Sequence, residues 1–254
     1  MTSHAPRRSK RTPLIILGIL VVGVAALLFY FFGGTAPSEV DIDSAAAAVS
    51  ISSGTEATNE ATGTTAVDGV QGTWTVDTSV GEFTVTEDTE ATFAGFRVNE
   101  VLDAIGETVA VGRTPNVAGT LEIEGTTLDA VDITVDLTSI VSDRSRREGA
   151  IQRALNTSAN PEATFVLTEA IDLGAEAETG ATVAASATGD LTINGVTMPV
   201  TIPIEAKLVE GLIIVTGSTD VVFSDFNVDP PSAPIVVSLE DQGILEFQLW
   251  FTRA

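Results

Sequence analysis

The stretch LTINGVTMPVTIPIEAKL, residues 191–208, decides the fold class. Before its centre the apolar residues are odd-numbered, Leu191 and Ile193. After it they are even-numbered: Met198, Val200, Ile202, Ile204, Ala206 and Leu208. A period of two marks a strand with one apolar and one polar face, because successive side chains point to opposite sides of the pleat. The parity changes at Asn194-Gly195, a pair that accepts the positive φ a two-residue hairpin turn requires at both central positions. These residues are therefore two antiparallel strands. Pro199 and Pro203 remove two ladder donors from the second, which predicts an edge, a bulge or a distorted seam there.

The same period extends outward in both directions. Leu121, Ile123, Val131, Ile133, Val135 and Leu137 alternate with Glu122, Glu124, Asp132, Thr134 and Asp136. Near the C-terminus Leu245, Phe247, Leu249 and Phe251 oppose Glu246, Gln248 and Thr252. Further strands are expected over 74–76, 83–85, 91–98, 164–171 and 212–223, with breaks at Gly174, Gly180, Gly211 and Asp229-Pro230-Pro231. Residues 145–155 alone have helical spacing, through Ala150, Ile151, Ala154 and Leu155, with Ser142 or Ser145 as the cap. Eight or more one-faced strands bury their apolar side by closing into a barrel or by sandwiching. Periodicity does not choose between the two.

Upstream the chemistry changes. Residues 14–32 contain no charge, and fourteen of the nineteen are Leu, Ile, Val or Phe. At about 1.5 Å per residue they span about 28 Å, close to a hydrocarbon core. A cleaved signal peptide is the alternative, but the apolar run is long for one and ends in bulky Phe29, Tyr30, Phe31 and Phe32. The expectation is a single transmembrane helix. Arg7, Arg8, Lys10 and Arg11 precede it within a basic tail, residues 1–13, and no basic residue follows until Arg97. That asymmetry predicts a cytoplasmic N-terminus, with residues 72–254 outside the cell membrane. Residues 33–71, rich in Ala, Ser, Thr, Gly and acid and without an aromatic, read as a flexible linker in which 45–48 could form one helical turn.

Composition excludes much. There is no cysteine, and the one histidine, His4, lies in the basic tail. Thiolate chemistry, a Ser-His-Asp triad and Cys/His metal sites are thus absent from the body, and no cofactor or metal is expected. A net charge of -23 repels phosphate backbones, so nucleic acid is not a partner. The strand-face acids alternate outward, which assigns no catalytic residue.

Four pieces, in order, resemble the YceI-like, polyisoprenoid-binding family. They are Phe96-Arg97-Val98; Thr138-Ser139-Ile140 with Arg147-Glu148 and Pro161-Glu162-Ala163-Thr164-Phe165; the hairpin Gly189-Asp190-Leu191-Thr192-Ile193-Asn194-Gly195-Val196-Thr197-Met198-Pro199-Val200; and Asp225-Phe226-Asn227-Val228. Departures from the family pattern are Glu148 for Asp, Asn160 and Leu155 for aromatics, and Glu100 for His. The resemblance implies an all-β, extended, eight-stranded antiparallel, lipocalin-like barrel with one short helix over 72–254, holding an isoprenoid or other long apolar lipid. Its expected lining is Phe93, Phe96, Val98, Ile133, Val135, Phe165, Leu167, Ile193, Val200, Ile202, Phe223, Phe247 and Leu249. The alternative is that many of those residues fill a solid core with no cavity; the resemblance favours the cavity. Arg147 and Arg153 are candidates for a lipid headgroup, against Arg147 and Glu148 as an ordinary exposed pair and Arg144, Arg146, Arg147 and Arg153 as a cluster offsetting the domain's own acids. Three functions remain: a membrane-anchored, non-catalytic lipid carrier; a solid interaction module with a protein partner not yet identified; and a hydrolase using carboxylates alone.

Overall fold

The computed structural model describes residues 36–52, 69–86, 88–103, 106–230 and 236–254. Residues 14–32, the expected span, lie outside them. No helix among the described residues is long and apolar enough to cross a membrane.

Thirteen strands and two α-helices are described, in the order α1 (Ile42–Ser52), β1 (Gly72–Asp77), β2 (Phe93–Leu102), β3 (Gly106–Thr114), β4 (Val117–Glu124), β5 (Thr127–Asp136), β6 (Val141–Ser142), α2 (Ser145–Ala154), β7 (Glu162–Leu167), β8 (Ile171–Asp172), β9 (Val183–Ile193), β10 (Val196–Val209), β11 (Leu212–Val222), β12 (Val236–Leu239) and β13 (Gln242–Arg253). Hydrogen bonding runs β1-β4-β5-β7-β9-β10-β11-β13 and returns to β1, where Trp74 faces Arg253 and Asp77 faces Trp250. That ring is a closed, eight-stranded antiparallel barrel. It settles the choice that periodicity leaves open, since closure alone removes both sheet edges.

β13 serves two neighbours on one side. Trp250 to Arg253 pair with β1, whereas Ile244 to Gln248 pair with β2. β2 then carries β3, and β3 carries β6. The end bearing the β9–β10 turn, the paired Leu102 and Gly106 of β2 and β3, and α2 is the mouth; the end with the turns at Gly125 and Gly211 is the base. Asn194 and Gly195 have φ of 50° and 74°, as the mirror-image hairpin turn requires.

Several expectations need correction. Residues 83–85 form no strand, because threonines capture the local backbone: the Thr84 amide donates to the Thr89 hydroxyl, which donates to the Glu82 carbonyl. Neither expected serine caps α2; Arg144 stands at the N-cap, where its side chain makes no capping bond, while the Ser142 hydroxyl donates to the Val111 carbonyl at 2.8 Å. The expected linker is also structured in part. Asp41 starts α1, its carboxylate accepting the Ser44 amide at 2.8 Å. The helix then buries Ile42, Ala45 and Ala46 against Ile214 and Trp250 on the outer face of the barrel. Val70 joins the interior core, and its carbonyl accepts the Trp74 indole N–H at 2.8 Å.

The strap formed by residues 36–47 changes the status of the outer face of β13. Glu246, Gln248 and Trp250 alternate outward, yet each is nearly or fully buried. Glu246 receives Arg97 Nε at 2.6 Å and Arg113 Nε at 2.8 Å. Two guanidiniums around one carboxylate leave one excess positive charge. The Ser38 carbonyl accepts from both arginines, and the Ser38 amide in turn donates to Asp88. The side chain of Gln248 donates to the carbonyls of Thr89 and Ala91, and the Trp250 indole donates to the Glu90 backbone carbonyl. Every polar group placed under the strap thus has a partner.

Removing one member of a buried charge cluster strands the others without water. Glu246→Ala should therefore destabilise the fold by about 3–5 kcal/mol in urea unfolding, whereas Lys207→Ala, which breaks an exposed pair with Asp43, should cost under about 1 kcal/mol.

Candidate functional site: the barrel interior

The interior is defined by strand parity. Trp74, Leu121, Ile123, Ile133, Ala187, Ile202, Ile213, Leu249 and Phe251 form its buried floor, with Val135, Phe165, Leu167, Val200 and Phe247 packed around it. Nearer the mouth, Leu137, Ile140, Ile151 and Ala163 meet Phe96, Val135 and Ile193, while Leu191, Val221, Phe226 and Val228 meet Phe165, Val200 and Phe223. Val98 shares the inward parity of Phe96 on β2. The structure therefore brings the expected lining residues together, with one exception.

Phe93 is a correction. It pairs with Gln248 across the sheet, while its neighbour Ala94 pairs with inward Phe247. Its ring lies on the outer face with Arg113 4.2 Å above its centroid. Around Phe93 and Arg97 both faces of β2 are buried, so hydrophobicity could not tell which face Phe93 occupies.

Many of the inward side chains are not sealed. Val131, Val135, Phe165, Leu167, Val200, Val215 and Phe247 point into a closed ring of strands, yet each retains surface within reach of solvent. A ring filled throughout at crystalline density would seal side chains at such inward positions away from its open ends. These positions leave apolar surface on the inner side of the ring.

The wall also has a seam. β10 bonds to β9 from Val196 to Ala206, but to β11 only from Ile204 to Val209. In the hairpin, Val196 and Ile193 face each other across the turn, so even-numbered residues of β10 bond to β9 and odd-numbered ones face β11. Pro199 and Pro203 are odd, so the missing donors fall where there is no ladder. The sequence expectation of a seam is met. Phe226 and Val228 pack into this region against Val196, Met198 and Val200, and the Asn194 side chain donates to the carbonyls of Phe226 and Asn227.

One acid points inward at the mouth. Glu100 shares the parity of Ala94 and Phe96, is 5% exposed, and pairs with Arg147 on α2, which also holds Asp143 at 2.9 Å. Arg147 is thus engaged within the protein. Arg153 is exposed on the last turn of α2. Glu122, Glu124 and Asp132 are exposed on the outside, and no group of three or more metal-ligating side chains occurs among the described residues. Sequence reasoning missed Glu100 as a functional candidate, although an acid at an inward-parity position was the available signal.

Comparison with known proteins agrees with this architecture. Residues 74–251 match the sequence profile of the YceI-like domain. Protein YceI of Escherichia coli O157:H7 is 31% identical over 129 residues, 49% of this chain and 60% of that protein. A UPF0312 protein of Pseudomonas aeruginosa is 31% identical over the same length and coverage. In both cases the match spans less than two thirds of the relative's length. Among solved structures, a polyisoprenoid binding domain from Saccharophagus degradans implicated in plant cell wall breakdown superposes with a TM-score of 0.55 at 14% identity, covering 71% of this chain and 98% of that one.

The inward acid gives the mouth a pH dependence. Burial raises the Glu100 carboxyl above its ordinary value, opposed by the Arg147 guanidinium. Folding then favours the protonated form. Its stabilising contribution is complete below the ordinary value of about 4.3 and is lost as pH rises through the raised one. Wild type should accordingly gain stability over Glu100→Gln between about pH 7 and pH 4 in urea unfolding. A constant difference across that window would mean an unperturbed carboxyl.

Proposed function

The chain belongs to the YceI-like family, whose profile covers residues 74–251, and from that premise we propose that the barrel binds a long apolar lipid of the isoprenoid type and holds it at the outer side of a membrane. One observation carries the reading: inward apolar side chains of a closed barrel that keep accessible surface. A ligand made of CH₂, CH₃ and C=C groups needs no hydrogen-bonding partner, and the middle of this interior offers it none. Its binding scales with the area removed from water, at about 25 cal/mol per Å². The structural neighbour described as polyisoprenoid-binding supports the same ligand class. The role is carriage and not catalysis.

The membrane part of the proposal rests on sequence. Residues 14–32 are long and apolar enough to span, and the basic tail before them favours a cytoplasmic N-terminus. The body then lies outside the cytoplasm, where its large negative charge keeps it soluble.

Native mass spectrometry of the full chain, released from detergent, should show a stoichiometric adduct that organic extraction removes and geranylgeraniol restores. A bare polypeptide mass that takes up no geranylgeraniol would reject lipid carriage and leave the barrel as an interaction module.

A further inference from the structure

Inward parity falls on glycine at four places where a phenylalanine lies beside it. Phe96 faces Gly112 directly across β2–β3, and Phe247 faces Gly217 across β11–β13. Phe165 is diagonal to Gly189 across β7–β9, and Phe223 follows β11 beside Gly243. A Cβ on these glycines would stand 2.6, 2.5, 2.5 and 2.6 Å from the ring tip of Phe96, Phe247, Phe165 and Phe223 respectively. Real Cβ atoms do not approach that closely. Each ring tip therefore rests in the place where a side chain of the neighbouring strand would be, and the ring runs along the wall instead of towards the barrel axis.

Glycine carries a cost in a strand interior, since it loses more backbone entropy than other residues and packs nothing. None of these four has a positive φ that would call for it. What the four have in common is the ring laid across them.

We propose that Gly112, Gly189, Gly217 and Gly243 set the bore of the interior: they let four phenylalanines lie flat, and so admit a slender, flexible, acyclic chain along an aromatic wall. The glycines are positioning residues, and Phe96, Phe165, Phe223 and Phe247 are the residues the chain touches. This rests on the lipid-binding reading above and adds what determines the width. A larger residue at any of these glycines would lift its ring into the lumen.

Two of the four sites give the cleaner test. At Gly189 and Gly243 an added Cβ would also meet backbone, the Val166 carbonyl at 2.5 Å and the Arg97 carbonyl at 2.9 Å. At Gly112 the next neighbour after the ring is the Ile140 side chain at 3.2 Å, and at Gly217 the backbone, the Pro203 carbonyl, stands back at 3.0 Å. The full chain would be made as Gly217→Ala, Phe247→Ala and the double variant, and likewise Gly112→Ala with Phe96→Ala. Geranylgeraniol retention would be read by native mass spectrometry, and ring position by the ¹⁹F resonance of 4-fluorophenylalanine at 247 or 96.

Each glycine variant should shift the ¹⁹F resonance and lower retention about tenfold, and removing the ring in the double variant should restore most of it. An unmoved resonance, or a double variant as weak as the glycine variant while still natively folded, overturns the proposal. If the wild type retains no geranylgeraniol, the carrier reading fails, and the resonance alone decides whether the glycines hold the rings down.

Discussion

The whole arrangement depends on β13 being buried on both faces. Its inward row, Leu245, Phe247, Leu249 and Phe251, contributes to the interior, and its edge closes the ring by pairing with β1. Its outward row would be an ordinary wet face in most barrels. Here Glu246 is fixed between Arg97 and Arg113, and Trp250 is covered by α1. Attraction between buried charges only compensates for lost hydration when geometry and further hydrogen bonds are good. The Ser38 carbonyl supplies those bonds, which makes the strap part of the electrostatic cluster as well as its cover. Strap, cluster and closure are thus mutually dependent.

That second layer explains what was and was not legible in the sequence. Where one face meets water, alternation gives the strand and its orientation at once, as in β4, β5 and β10, and in the last residues of β9. The hairpin at Asn194-Gly195 and the helix α2 were legible for the same reason: each signal is local. β3 was not, because Val109 and Val111 face outward while Ala110 and Gly112 face inward. With no polar face, there was no period to detect. Phe93 was misplaced for a related reason, since a large apolar residue suits either buried side of β2. Residues 36–47 carry few large apolar groups and read as tether; they dock through small Ala45 and Ala46 and through a backbone carbonyl, which composition does not reveal.

Apart from Phe93, the inward rows were legible, but how their rings lie was not. Parity alone places Phe96, Phe165 and Phe247 inside, and inward phenylalanines are as suited to filling a core as to bordering a cavity. What separates the outcomes is the residue on the neighbouring strand, and its register is knowable only once the pairing is fixed. Gly112 and Gly217 look like strand weaknesses in one dimension. Opposite Phe96 and Phe247 they become the space into which a ring folds.

The seam between β10 and β11 shows the same logic applied to backbone. An unpaired strand edge is a template for aggregation, and proteins blunt such edges with proline or by covering them. Between Val196 and Pro203 both devices are present: two prolines withhold donors on the open side, and Phe226 and Val228 pack over the apolar residues. On the exposed face, Thr197 and Thr201 bond Thr192 and Thr188 of β9, holding the half-free strand to its remaining partner. A wall that zipped fully shut would need donors at 199 and 203. The prolines at those positions keep the barrel closed as a ring while leaving one stretch of its wall joined by side chains alone.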